Sequence, residues 1–126
     1  MNKVILNGNL VRDMEVRQTK GGTDVGEFTI ANNIGYGEDV KTLFVKCTLF
    51  GKRVEALQKY LLKGCRVLID GQLEINNYHN EKEDTWATYV NIVVNDIDIL
   101  KFVEIEEETK YKRKRRLREE EKRFLR

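Results

Sequence analysis

The sequence predicts an all-β domain, a five-stranded, partly open Greek-key barrel with one helix between its third and fourth strands. Three observations carry that prediction. Apolar and polar residues alternate with the period of a strand through much of the first hundred residues. One segment, Lys52 to Lys63, instead spaces its apolar residues as a helix does. The chain has no proline, so its nine glycines and several polar clusters provide the breaks between elements.

Lys3 to Val11 reads as the first strand, led by Val4, Ile5 and Leu6. Gly8 inside it marks a bulge or a close backbone approach. Lys20-Gly21-Gly22-Thr23 is a turn signal, and Val25 to Asn32 is a second strand with Phe28 and Ile30 on one face. Asn33 to Asp39, with two glycines flanking Tyr36, reads as a loop. Thr42 to Phe50 is the third strand. Its alternation puts Leu43, Val45, Cys47 and Leu49 on a core face and Phe44, Lys46, Thr48 and Phe50 on the other. An aromatic, basic, polar, aromatic row makes a poor core and a plausible wet binding surface.

The helix over Lys52–Lys63 places Val54, Leu57 and Leu61 on one side, with Gly64 as its stop. Cys65 to Asn77 is the fourth strand. Val67, Ile69, Gly71, Leu73 and Ile75 face in, while Arg66, Gln72, Glu74, Asn76 and Tyr78 face out. His79 to Asp84 reads as a polar hairpin loop. Trp86 to Val94 is the fifth strand, with Val90, Ile92 and Val94 facing in and Ile97 to Phe102 as an extension. The parity of Trp86, the one tryptophan, matches Val90 and Ile92 and gives it a packing role. The order of three strands, a helix and two strands is that of the OB-fold.

Composition narrows the function. The chain has 126 residues, of which 40% are hydrophobic and 35% charged, well above the charge of an average globular chain. The excess predicts a folded domain over 1–103 and a charged tail, helical or disordered, over 104–126. Residues 1–103 hold 13 basic and 14 acidic side chains, against 10 and 7 in the tail. The body is therefore no general magnet for polyanions, and any nucleic-acid binding by it rests on local charge and stacking. Cys47 and Cys65 lie in strand-like apolar runs and read as buried thiols. No close pair of Cys or His suggests a metal site, and no cofactor is expected. One histidine allows no Ser-His-Asp set, and no phosphate-binding loop with a Lys-Ser/Thr ending occurs, so no enzyme activity is expected. No apolar run approaches a membrane span, and the N-terminus has no signal-peptide pattern. A cytoplasmic, nucleoid-associated location is the expectation.

Several blocks carry a resemblance. Asn2-Lys3-Val4-Ile5-Leu6-Asn7-Gly8-Asn9-Leu10, then Asp13-Met14-Glu15-Val16-Arg17, resemble the opening of bacterial and phage single-stranded DNA-binding proteins. Met14 stands where that family usually has proline. Leu49-Phe50-Gly51-Lys52, Tyr60-Leu61-Leu62-Lys63-Gly64 and Ile69-Asp70-Gly71-Gln72-Leu73 follow in family order across about residues 2–100. The resemblance implies single-strand binding on surface aromatics and puts Tyr36, Phe44, Phe50 and Tyr78 at those places. Family members commonly have tryptophan at the first, second and fourth of them. Lys46 between the phenylalanines would meet a phosphate, with Lys3, Arg12, Arg17, Lys52 and Arg66 as further phosphate candidates. The resemblance also implies a homotetramer, or at least a dimer, and Lys3–Leu6 is a plausible pairing edge.

The tail alternates acidic Glu104–Glu108, basic Lys110–Arg118, acidic Glu119–Glu121 and the basic ending Lys122-Arg123-Phe124-Leu125-Arg126. Family members usually close on an acidic tip that recruits replication and repair proteins, and this ending differs. A phage, plasmid or accessory version is the expectation, with the Lys110–Arg118 block adding nonspecific phosphate contacts. The competing readings are an oligomeric OB-fold scaffold whose strand-three aromatics sit in a protein interface, and a primosome-like relative of the same fold.

Overall fold

The computed structural model describes residues 1–103, and the readings made above for 104–126 lie outside the described residues. The described chain is all-β with one short helix: β1 (Val4–Leu10), β2 (Glu15–Gln18), β3 (Asp24–Ile34), β4 (Lys41–Phe50), α1 (Lys52–Leu57), β5 (Arg66–Asn80) and β6 (Thr85–Lys101). The strands form one sheet in the order β1-β5-β6-β4-β3-β2, and β1 also pairs with β3, which closes a barrel. All pairings are antiparallel except β4 with β6, a parallel contact over Lys46–Thr48 and Asn91–Val93.

Six strands stand where five were expected. The extra one, β2, is four exposed residues with no apolar alternation to reveal it. Its place explains it, because β1 and β2 lie along the same side of β3. Leu10 is opposite Ile30 and Glu15 is opposite Glu27, so four residues of one strand span two of the other. β1 and β2 therefore act as one interrupted strand. The interruption is pinned to the segment between α1 and β5. The Met14 N–H donates to the Leu61 carbonyl at 2.9 Å, and the Asp13 carboxylate accepts from the Lys63 N–H at 2.7 Å. A proline at position 14 has no N–H and could not make the first of these bonds. The Met14 side chain is itself buried and lies over Gly26, where a Cβ would come within 2.5 Å of its sulfur.

The core follows much of the predicted alternation inside the barrel, but Leu43 of β4, expected on the core face, is 45% exposed, and Thr48, expected on the outer face, is buried. Val25, Ile30, Cys47, Leu49, Val54, Leu61, Cys65, Val67 and Ile69 are fully buried, with Phe28, Ile92 and Val94 nearly so. Gly8 is a close approach, since a Cβ there would stand 2.6 Å from the Ala31 carbonyl oxygen. That spot is where β1 passes from β5 to β3.

Leu73, Ile75 and Val90 have the parity of core residues but are exposed. β1 runs out opposite Gly71, and beyond it β5 has only β6 as a neighbour. The β5–β6 hairpin therefore projects past the barrel as a two-stranded arm, with no core to face. Trp86 lies on this arm and is 71% exposed, which corrects its expected packing role. Its ring leans on His79, with centroids 4.6 Å apart, and His79 is hydrogen-bonded to Asp84 at 2.9 Å. The helix is also shorter than expected. It ends at Leu57, and a turn over residues 58–60 carries the chain to buried Leu61. Gly64, at φ +90°, then takes the left-handed conformation that reverses the chain into β5.

β6 stays continuous by skipping two residues. Between Val94 and Asp96 the register with β5 jumps over Asn95, and between Ile99 and Lys101 over Leu100. The first bulge moves Ile97 and Ile99 to the inner face and turns Asp96 and Asp98 outward. Arg53 of α1 donates to the carbonyls of Asn95 and Val94 at this point.

Candidate nucleic-acid interface

The outward faces of β4, β3, β5 and β6 form one surface. Pairing fixes its membership. Lys46 is opposite Asn91 across the β4–β6 contact, and Asn91 is opposite Glu74 across the hairpin. Alternation then puts Phe44, Lys46, Thr48 and Phe50 on the same side as Glu74, Asn76, Tyr78, Tyr89 and Asn91.

Two depressions run along this surface. The first, about 690 Å³, lies between Arg12, Glu15, Phe28, Thr29 and Phe44. The second, about 510 Å³, lies between Arg17, Phe50, Asn76, Tyr78, Tyr89 and Asn91. Glu27 and Lys46 line both, so the two depressions adjoin at this pair and are treated together as one groove.

The aromatics stand out from it. Phe44 is 70% exposed, Tyr78 58% and Phe50 45%, although each sits on a rigid strand. Tyr78 meets Tyr89 edge to face, with centroids 5.2 Å apart and planes at 74°. A ring held by its edge keeps a face free, and a free face on a fixed support can receive a flat heterocycle. Thr48 is buried beneath the groove, and its hydroxyl donates to Asn91 Oδ1 at 2.9 Å, tying β4 to β6 below the rings.

The charges are mixed. The groove holds three cations, Arg12, Arg17 and Lys46, against four carboxylates, Asp13, Glu15, Glu27 and Glu74. Asp13 is committed to the Lys63 N–H, and Glu74 accepts from Asn76 Nδ2 at 2.8 Å. Glu27 bridges two of the cations. Its Oε1 accepts from Arg17 Nη2 at 3.0 Å and Nε at 3.3 Å, and its Oε2 stands 3.7 Å from Lys46 Nζ.

Six of the sequence-predicted residues meet in this groove: Phe44, Lys46, Phe50, Tyr78, Arg12 and Arg17. Tyr36 is 95% exposed at the tip of the β3–β4 hairpin, between Gly35 and Gly37, both of positive φ, and it lines neither depression. Lys3 is 3.2 Å from Asp70 and, like Lys52 and Arg66, lines neither depression. Asp70 is opposite Asp96 on a separate acidic stretch of the barrel wall. Tyr89 was missed. Its signal was the alternation of the fifth strand, which puts it on the face opposite Val90, but only the register places it beside Tyr78.

The two thiols take no part in the groove. Burial pushes Cys47 up to about 12, and it pushes Cys65 up as well, against a lowering backbone hydrogen bond at Val103. Among the described residues no group of acidic, His and Cys side chains could hold a metal ion, and no helix is long and apolar enough to cross a membrane.

Comparison with known proteins gives the geometry a context. The chain is 36% identical over 99 residues to the "Single-stranded DNA-binding protein 1" of Staphylococcus aureus (strain MSSA476), a match covering 76% of this chain and 62% of that protein. It is 31% identical over 103 residues to the single-stranded DNA-binding protein of Borreliella burgdorferi, covering 79% and 69%. It is 35% identical over 102 residues to that of Clostridium perfringens (strain 13 / Type A), covering 79% and 66%. The chain thus spans about 62% of the length of the first of these relatives. A model of the single-strand binding protein family matches residues 1–100. With that match over most of its length, and the barrel and exposed rings described above, the chain belongs to the single-strand binding protein family.

Proposed function

We propose that this chain binds single-stranded DNA without reading its sequence, stacking bases on Phe44, Phe50, Tyr78 and Tyr89 and meeting phosphates with Lys46, Arg17 and Arg12. The observation that carries the reading is the row of exposed rings along one groove, Phe44 and Phe50 on a strand of the barrel wall and Tyr78 and Tyr89 on the arm beside it. Large aromatics left in water on rigid supports are costly unless something covers them, and an unpaired base has the shape and the polar edges to do so. Tyr36, at the tip of its hairpin, adds a ring to a strand that leaves the groove past Phe44. Lys3, Lys52 and Arg66 meet phosphates only on a path outside it.

The role is protective coating of transient single strands in replication, recombination or repair, with no catalysis, in the cytoplasm. Assembly into a homotetramer or dimer uses the β1 edge. Val4–Gly8 pairs with β5 on one side only, which leaves backbone groups open to a second copy. A second reading, an oligomeric scaffold, is favoured by the exposed row of Leu73, Ile75, Val90 and Trp86 on the back of the arm.

Titration of the protein with labelled dT oligomers of several lengths at two salt concentrations tests the reading, with molecular size measured alongside. Length-dependent binding that weakens in Phe44→Ala is the expected result. Absence of binding at low ionic strength, or binding indifferent to Phe44→Ala, favours the scaffold.

A further inference from the structure

We propose that Glu27 is an internal competitor for the nucleic-acid backbone: in the free protein its carboxylate occupies the place that a phosphate takes in the complex. The inference rests on the binding reading above and adds what regulates the groove's grip.

The position of the residue makes the case. Glu27 lines both depressions, at the place where they adjoin. Its two oxygens are divided, one on Arg17 and the other toward Lys46. A phosphodiester has two unesterified oxygens and the same charge, so it makes the same demand on the same two cations. Arg17 and Lys46 are two of the groove's three cations, and their side chains are 61% and 55% exposed, while that of Glu27 is 28% exposed. The cations are thus open to solvent and the carboxylate between them is partly covered. Its neighbours across the sheet are Glu15 on β2 and Thr48 on β4.

A strand that lies along the groove must displace Glu27 from at least one cation and then tolerate its charge nearby. Affinity is lower than the rings and cations alone would give. The benefit is ready release, since the carboxylate waits beside each phosphate to take its place. Stacking then holds the strand, and the ionic part of binding is small.

The test compares Glu27→Gln, which keeps the shape and removes the charge, with Glu15→Gln, which removes a groove charge that has no ion pair among the described residues. Binding of labelled dT oligomers is measured from low to high salt, and thermal unfolding checks the fold. Glu27→Gln should bind about tenfold tighter at moderate salt, the gain of charge-assisted contacts once the competing carboxylate is gone. The slope of log affinity against log salt should steepen by about 0.7 for each phosphate newly neutralised. Glu15→Gln should change both far less. A folded Glu27→Gln that binds no tighter overturns the proposal, as does a Glu15→Gln with the same effect, which would reduce the matter to net charge. A wild-type protein that ignores oligo-dT at low salt overturns the binding reading as well. A wild type that binds beside an unimproved Glu27→Gln overturns this inference alone.

Discussion

Phe44→Ala separates binding from folding most cleanly. The ring is 70% exposed, so truncation removes little that the barrel depends on. With some 30% of roughly 200 Å² covered, the folding cost is at most about 1.5 kcal/mol at 25 cal/mol per Å². A lost stacking platform costs about 1–3 kcal/mol per base, or about 5- to 150-fold in affinity. The expected outcome is a dT affinity reduced within that range while the protein melts within about 10 °C of wild type. Leu49→Ala is the matched contrast. Leu49 is on the same strand with the opposite parity and is fully buried, so its truncation should cost about 2–5 kcal/mol of stability. Its effect on binding should appear only as the protein unfolds. Fluorescence polarisation with a labelled dT oligomer and thermal unfolding by circular dichroism give both readings. A Phe44→Ala protein with undiminished affinity would refute the reasoning, and so would one that loses affinity only because it no longer folds.

Three further outcomes are expected. Gly8→Ala should destabilise by about 1–3 kcal/mol, because the added Cβ meets the Ala31 carbonyl at 2.6 Å and backbone must shift; an unchanged melting temperature would contradict it. Cys47 and Cys65 should resist a thiol reagent until the protein unfolds. Their raised folded-state pKa means that the unfolded chain loses these protons first as pH rises, so stability should fall above about pH 9, for Cys47 until about 12, with Cys65 acting in the same direction. For each thiol the fall should be at most about 1.4 kcal/mol per pH unit, followed by denaturant titration. Trp86, being 71% exposed, should emit in the folded protein nearly where it does in the unfolded one. A large red shift on unfolding would show that something covers it in solution.

Most of the wall of the barrel was legible because it is local. Alternation along one strand suffices to set Cys47 and Leu49 inside and Phe44, Lys46 and Phe50 outside, and no partner strand is needed to see it. What stayed hidden depends on pairing. Tyr89 matters because the register brings it to Tyr78, a relation between two strands. Leu73, Ile75 and Val90 read as core because parity does not say where the barrel ends. That height is set by β1, which stops opposite Gly71. β2 has no apolar pattern at all, and only its neighbour β3 makes it a strand. Among the charges, Lys46 could be seen as a groove cation, but the Glu27 that holds it could not, since β3 and β4 bring them together from 19 positions apart.

The skipped residue at Asn95 sets which residues of β6 face inward. Before it, even-numbered positions such as Ile92 and Val94 point inward; after it, odd-numbered ones such as Ile97 and Ile99 do. Were β6 to run through Asn95 in one unbroken frame, Asp96 and Asp98 would enter the apolar interior, whereas loss of Asn95 itself would close the bulge and leave Ile97 and Ile99 inside. An insertion or deletion in the turn at 81–84, by contrast, alters only the reach of the arm. Natural variation in chain length among relatives should therefore gather at that tip.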